Sequence, residues 1–420
     1  MIPADTATTQ ILDLVVPLDS RRDLETVSLL DATGRILAES VISPLNFPHW
    51  DNSAMDGYAV RYEDVQGASS ETPVELTVIE EIPAGKPPQQ TVAAGQTARI
   101  LTGSMVPPGA DTIVIQENTR RTGDRVQILV APEPRAFIRE QGAFLQSGER
   151  LLSTGYELTP PEIAVLAAAQ RPELQVYRRP RVAILSTGDE LVLPDQPLQP
   201  GQIVDSNQYA LAALVQQMGA VPLCQGIVPD DPVQLQQAIE QAMEQADMVL
   251  SSGGVSVGDY DYVDKILSDL GATLQIRSVA VKPGKPLTVA TIPGRTPPLL
   301  YFGLPGNPVS ALVSFWRFVA PALKKLSGRA DNWQPTFVTA RSRHALKAGG
   351  RRETYLWGQL HTTPTGLEFS LSQGSHSSGN LINIMGTQGL AVVPIGVTEI
   401  EAGSQVRVLW IGSEGLIGNR

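Results

Sequence analysis

The feature that most restricts the fold of this chain is an alternation of short apolar runs and amphipathic stretches between Arg181 and Ser310. Residues 182–185, 221–228, 248–250 and 299–302 are apolar runs of strand length. Between them, Leu211, Leu214, Val215 and Met218 recur at helical spacing, as do Leu235, Ile239 and Met243, and then Val263, Ile266, Leu267 and Leu270. Continuous apolar strands alternating with one-sided helices predict a mostly parallel sheet covered on both faces. In such sheets ligands collect beyond the carboxyl ends of the strands.

Four loops fall at those ends. Ser186-Thr-Gly-Asp-Glu190 follows the first strand and gathers hydroxyl, amide and carboxylate groups around a glycine. Ser251-Ser-Gly-Gly-Val-Ser256 follows the third and opens toward a helix, so that N–H groups and helix dipole face an anion. Lys282-Pro-Gly-Lys-Pro286 sets two cations three residues apart on a proline-stiffened segment, which suits a tetrahedral oxyanion as well as a solvated turn. Gly303-Leu-Pro-Gly-Asn-Pro-Val-Ser310 leads into a helix with Asn307 at its cap and Pro308 in its first turn, and offers further N–H groups. No Gly-Lys-Ser/Thr follows a glycine loop and no G-x-G-x-x-G occurs here, which sets aside the common nucleotide-hydrolase and dehydrogenase readings.

Asp189, Glu190, Asp230, Asp231, Asp259 and Asp261 lie at or near these loops, and hard oxygen donors beside a phosphate make a Mg²⁺ site. Asp231, followed by Pro232 and Gln234, reads first as a helix cap. The four histidines, His49, His344, His361 and His376, lack zinc-ligand spacing. The single Cys224 excludes an internal disulfide, fits a reducing cytoplasm, and reads as a buried structural thiol within an apolar run.

At 420 residues the chain is too long for one core. Ile11, Leu12, Val15 and Val16 predict an amino-terminal helix, and Leu29, Leu30, Ile36 and Leu37 a helical turn. Short β-type runs at 74–79, 112–116 and 126–130 predict a small β domain, and Thr159-Pro-Pro-Glu162 opens another helix. Strand patterns return from about Arg329. Two polar segments, Asp51-Asn-Ser-Ala-Met-Asp-Gly-Tyr-Ala59 and Thr102-Gly-Ser-Met-Val-Pro-Pro-Gly-Ala110, read either as turns or as site linings. A net charge of -11 without a basic run argues against nucleic acid and anionic membrane, and no apolar run reaches membrane-helix length.

These motifs together closely resemble the molybdopterin molybdenumtransferases, the MoeA family, to which homologous domains of a plant cofactor-synthesis protein and of vertebrate gephyrin belong. The resemblance runs through the 51–59 segment, Leu101-Thr-Gly-Ser104 with Pro107 and Gly109, the four loops, and Asp205-Ser-Asn207. It implies a multidomain α/β architecture: an elongated helical amino-terminal unit (1–50 and 145–178), an inserted small β domain (51–144), a doubly wound molybdopterin-binding α/β domain (179–328) and a C-terminal β-barrel-like domain (329–420). It also implies a homodimer that inserts molybdate into the dithiolene of adenylylated molybdopterin with Mg²⁺-dependent release of AMP, downstream of a molybdopterin adenylyltransferase. Glu190, Asp230 and Asp261 would then serve metal and pyrophosphate, with Glu190 and Asp261 as Mg²⁺ ligands, while Lys282, Lys285 and Ser310 hold molybdate or phosphate. Thr187, Gly188, Asp189, Ser206, Asn207, Ser252, Gly253, Gly254, Ser256, Gly258, Pro305, Gly306, Asn307 and Pro308 would line the substrate site with Arg139 and Arg351. Asp56 and Thr102 would approach from the partner subunit. The ligand's own sulfurs attack the metal in this chemistry, which agrees with the lack of a catalytic cysteine or Ser/His pair.

This chain departs from the family at Ile138-Arg-Glu-Gln-Gly-Ala-Phe144, which keeps Arg139 and replaces an acidic pair by Ala143 and Phe144. The family's C-terminal arginine matches Arg351 or Arg352 only loosely. A molybdopterin adenylyltransferase shares the α/β core, but a single-domain enzyme lacks the Asp56 and Thr102 segments. A gephyrin-like scaffold tolerates loss of the catalytic loops, which here are mostly intact.

Overall fold

A computed structural model describes residues 1–253 and 260–412, apart from the side chains of residues 260–262. The chain divides into two compact units, one of Ser40–Ser153 and Ala164–Pro172, the other of Met1–Glu39, Thr154–Ile163 and Glu173–Arg420.

The larger unit is built on the expected sheet. Its strands are β1 (Arg181–Thr187), β2 (Val221–Val228), β3 (Met248–Ser252), β4 (Thr273–Ser278), β5 (Pro286–Ile292) and β6 (Leu299–Leu304), in the order β2-β1-β3-β6-β5-β4. The first four run parallel, and β5 is antiparallel to both its neighbours. Successive strand residues face opposite sides. On one side Val182, Ile184, Leu250 and Phe302 pack with helices α1 (Asn207–Gln217) and α4 (Pro308–Ser314). On the other, Ala183, Leu185, Val249 and Tyr301 pack with α2 (Pro232–Gln245) and α3 (Tyr260–Asp269). The sheet is therefore doubly wound.

One expectation fails at its edge. Cys224 is exposed, because β2 is the outermost strand and shields its residues only partly. Its thiol pKa is raised, first by partial desolvation and then by the Asp205 carboxylate, so it is a poor nucleophile.

The amino-terminal helix runs Ala4–Leu14 and buries Ala4, Ala7 and Ile11 against Phe315, Phe318 and Leu323 in the core of the α/β sheet. Val15 caps it and stays buried, whereas Val16 lies past its end and is exposed. The expected helical turn is a short 3₁₀ segment, Leu29–Asp31, and the strand before it, Leu24–Ser28, pairs with Glu173–Tyr177.

Residues 337–410 close into a five-stranded barrel, in which Glu353–Thr363 pairs with both Gly366–Leu371 and Gly389–Val393. Alternation along Glu353–Thr363 serves two cores: Leu356 faces the barrel interior, while Tyr355 and Trp357 join the apolar cluster under α4. The smaller unit carries its own six-stranded sheet, formed by Thr112–Ile115, Gly57–Val60, Gln96–Ile100, Val74–Ile82, Arg125–Ile128 and Thr119–Thr122 in spatial order. No helix of the described residues is long and apolar enough to cross a membrane.

Candidate active site

The parallel strands end abreast. Thr187 is in register with Val228, Ser186 with Ser252, and Ser252 with Leu304, so the loops after β1, β2, β3 and β6 open at one edge. β1 leads to β2 on one side and has β3 on the other, which makes the β1/β3 boundary the switch point where such sheets form a crevice.

Asn207 ties the end of β3 to the loop after β6. Its Nδ2 donates to Ser252 Oγ at 2.6 Å and to the Gly306 carbonyl at 2.8 Å. Gly253 has φ +95°, and a Cβ there would sit 2.2 Å from the Thr187 carbonyl oxygen, so glycine alone lets the chain leave β3 this close to the end of β1. Ser206 precedes α1 without a side-chain cap bond; buried Asp205 does that work, accepting from Gln208 N–H at 3.1 Å. The acidic group is similarly ordered: Asp189 Oδ1 accepts the Asp230 N–H at 3.1 Å, while Asp189, Glu190 and Asp230 are exposed. Asp231 caps α2 through Gln234 N–H at 2.8 Å, as its position predicts.

The lysine loop reaches this edge by another route. Val281–Lys282 pairs in parallel with Glu353–Thr354 of the barrel, and the Lys285 carbonyl accepts from Val279 N–H at 3.1 Å. Gly284 has φ +107°, and a Cβ there would lie 2.9 Å from Ser314 Oγ and 3.5 Å from the Ser310 carbonyl. The loop therefore rests on α4, bringing the Lys282–Lys285 turn to buried Ser310.

Arg352, rather than Arg351, contacts this turn. Its Nη1 donates to the Val281 carbonyl at 3.3 Å, while Arg351 is exposed. The first turn of α4 is also less open than its sequence implies. Asn307 makes no side-chain cap bond, and Val309 N–H is taken by the Ser378 carbonyl at 3.1 Å. The 372–380 loop of the barrel thus borders the site, which periodicity could not reveal because Ser, Gly and Asn signal only a loop. Gly254, Ser256, Gly258 and Asp261 lie outside the described residues or side chains.

Asp56, Thr102 and Arg139 fall in the smaller unit. Asp56 Oδ1 accepts from both the N–H and the hydroxyl of Thr102, each at 2.7 Å. These two bonds, with a smaller contribution from Arg99, hold the Asp56 carboxyl below its ordinary pKa despite slight desolvation. Arg139 pairs through its main chain with Asn52, four residues before Asp56.

The donor set suits a phosphorylated ligand. Among the described residues Ser186 Oγ, Thr187 Oγ1 and Ser314 Oγ are buried without hydrogen-bond partners, and buried hydroxyls in that state are costly unless something else bonds them. Exposed carboxylates at Asp189 and Glu190 are hard oxygen donors of the kind Mg²⁺ takes beside phosphate. Among the described residues no cluster of three or more His, Cys, Asp or Glu forms a metal cage, so phosphate and water oxygens would have to complete the shell. A separate cavity of about 470 Å³, lined by Tyr177, Met218, Trp316 and Trp333, opens near the amino-terminal end of β1 and touches none of these loops.

A doubly wound α/β domain with polar, glycine-bearing loops at its switch point, joined to a β barrel that borders the site, defines a class of proteins suited to hold a phosphorylated small molecule. Family models agree along the chain: "MoeA N-terminal region (domain I and II)" matches residues 2–169, "Probable molybdopterin binding domain" 183–325 and "MoeA C-terminal region (domain IV)" 339–411. A molybdopterin molybdenumtransferase of Nostoc sp. is 59% identical over 95% of this chain and 91% of its own length. One from Haemophilus influenzae is 37% identical over 84% of each. The crystal structure of a MoeA molybdopterin biosynthesis protein from Pyrococcus horikoshii superposes with a TM-score of 0.82 at 29% identity, covering 98% of this chain and all (100%) of that one. The chain belongs to the molybdopterin molybdenumtransferase (MoeA) family, and is an enzyme of molybdenum cofactor biosynthesis.

Proposed function

We propose that the enzyme inserts molybdate into the dithiolene of adenylylated molybdopterin and releases AMP in a Mg²⁺-dependent step. The observation that carries this reading is the seating of the Lys282–Lys285 turn on α4 beside the switch-point loops. One end of the site then offers two cations and buried hydroxyls to a tetrahedral oxyanion. The other offers Thr187, Gly188 and Gly253 to a phosphate, with Glu190 at its rim. Bound Mg²⁺ would neutralise phosphate charge there, with Glu190, and Asp261 on the expectation drawn from its motif, as protein ligands.

The chain's own residues need only hold charge and geometry. Lys282 and Lys285 attract and orient molybdate, Ser310 fixes the turn beneath them, and Asn207 holds the end of β3 to the β6 loop. Proximity of this kind turns a bimolecular encounter into a prearranged one. The pterin's sulfurs act as the nucleophiles.

The active form is a homodimer in which Asp56 and Thr102 of one chain face the α/β loops of the other. Support comes from the surface around that pair. Segments 47–56, 101–106 and 137–144 are stitched by main-chain bonds such as Ser53 N–H to Ser104 O and Ala54 N–H to Phe137 O. They expose Trp50, Met55, Met105 and Phe144, the last 73% accessible, and such a grouping of apolar side chains marks an association surface. The substrate comes from a molybdopterin adenylyltransferase, and the reaction takes place in the cytoplasm.

Incubation with adenylylated molybdopterin, molybdate and Mg²⁺ tests this reading. The expected result is AMP release that requires molybdate and disappears in Glu190→Gln. No release by the unaltered enzyme, or release indifferent to Glu190→Gln, would sink it.

A further inference from the structure

The segment carrying Lys282 is bonded on both sides by distant parts of the chain. On one side Ile2 N–H donates to the Ser278 carbonyl at 3.2 Å, and Ala280 N–H to the Ile2 carbonyl at 2.8 Å. On the other, Glu353 N–H donates to the Ala280 carbonyl at 2.9 Å, and the pairing continues to Lys282 and Thr354. The turn between these attachments is the one read above as the oxyanion holder.

Both flanking segments converge on one buried cation. Arg317 is 1% exposed and sits in a π-helical turn, Phe315–Val319, between α4 and the helix Ala320–Leu326. Its Nη2 pairs with Asp5, its Nη1 donates to Thr8 Oγ1 at 2.6 Å, and its Nε donates to Tyr355 Oη at 2.8 Å. Tyr355 Oη in turn donates to the Glu353 carboxylate. The guanidinium also lies over the rings of Phe318 and Phe337, at 5.5 and 5.6 Å from their centroids. Asp5 and Thr8 belong to the helix that Ile2 leads into, and Tyr355 and Glu353 to the strand that pairs with Lys282.

A methionine or leucine would fill this core position at less cost, since a buried guanidinium must recover its lost hydration through every bond it makes. The π turn adds to the oddity, because a widened turn inside a helix is uncommon and occurs often where a side chain must be aimed. Arg317 bonds to both the helix and the strand flanking the lysine segment. We infer that Arg317 is a positioning residue for the Lys282–Lys285 turn, acting through Asp5 and Thr8 on one side and Tyr355 and Glu353 on the other. Its role is to fix the turn so that both ammonium groups meet one oxyanion. This rests on the reading of the turn as an oxyanion holder.

Arg317→Lys and Tyr355→Phe test the inference. Lysine keeps the charge but cannot span three partners, and phenylalanine keeps the ring but cuts the link to Glu353. Two measurements on the full chain apply: hydrogen exchange of the amides in residues 279–285, and equilibrium binding of molybdate alone. Ile239→Val, in the α2 face of the core and remote from this network, controls for general loss of stability. Expected are faster exchange across 279–285 and about three- to tenfold weaker molybdate binding in both variants, the size of losing one charge-assisted hydrogen bond in part, with neither change in the control. Arg317→Lys should retain more affinity than Arg317→Met. Unchanged exchange in 279–285 in both Arg317→Lys and Tyr355→Phe would overturn the inference, whatever happens to activity. Failure of the unaltered protein to bind molybdate would count against the proposed function, while the exchange measurement would still decide the role of Arg317.

Discussion

Asp56 shows how little burial a tuned carboxylate needs. Its side chain is only partly covered, and its lowered pKa comes chiefly from two hydrogen bonds to Thr102 and not from a hidden ion pair. Thr102→Val removes the hydroxyl and leaves the N–H, so the Asp56 carboxyl should titrate closer to its ordinary value. An NMR titration of the carboxyl carbon reads this directly, and an unmoved midpoint would show that the backbone bond suffices. Since a depressed carboxyl pKa favours the ionised form, activity at the acidic end of the pH profile should fall first in Thr102→Val. The sequence made both residues visible through their motifs, but nothing in it distinguished Arg352 from Arg351. That choice depends on how the two residues before the Glu353–Thr363 strand approach the lysine turn, and a Gly-Gly-Arg-Arg run has no period to read.

Two devices at helix starts organise the loops. Asp231 caps α2, and Asp231→Ala should cost about 1 kcal/mol in chemical denaturation while leaving substrate affinity alone. Asn207, at the start of α1, spends its amide on the end of β3 and on the β6 loop. Asn207→Ala should therefore act on ligand binding more than on stability, raising the Michaelis constant for adenylylated molybdopterin roughly tenfold for the two lost bonds. An unchanged Michaelis constant with a large fall in melting temperature would recast Asn207 as purely structural.

Elements with strong periodicity were the legible ones. β1, β2, β3, β6 and the helices among them follow from runs such as Val182-Ala-Ile-Leu185 and from the Leu211/Val215 and Leu235/Ile239 faces. β4 and β5 were not, because Thr273–Ser278 mixes polar and apolar residues and Pro286–Ile292 begins in what reads as a turn. Cys224 was misjudged for a related reason: an apolar run announces a strand but not whether that strand has a neighbour on both sides. The four loops were recognisable one by one. Their meeting was not, since it depends on the strand order.

At the scale of the whole molecule, the α/β sheet and the stretch leading into it are joined by a charged node. Asp247, nearly buried, accepts from Arg178 Nη1 and Nη2 at 2.7 and 2.9 Å and from Arg181 N–H at 2.8 Å, with Arg295 nearby and Asp23 on the far side of Arg178. Burial alone would raise its pKa, but these bonds and charges outweigh it and the net shift is downward. A depressed carboxyl pKa contributes stability that is complete above the unfolded value near ~4 and is lost as pH falls through the folded one. Asp247→Asn should therefore flatten the acid limb of the melting-temperature profile. At neutral pH it should destabilise by about 2–3 kcal/mol, the partial exposure of Arg178 keeping the loss at the low end for a broken internal pair. An acid limb identical to that of the unaltered protein would place the relevant titration elsewhere.

The attachments of the lysine turn set a timetable as well as a geometry. Ile2 is made long before Lys282, and Glu353 and Thr354 are made long after it. A nascent chain that has emerged only through α4 already owns both lysines and every switch-point loop, yet one rail of the turn is missing until the barrel strand arrives. On the proposed reading of this turn as an oxyanion holder, its second attachment would therefore be completed only late in synthesis.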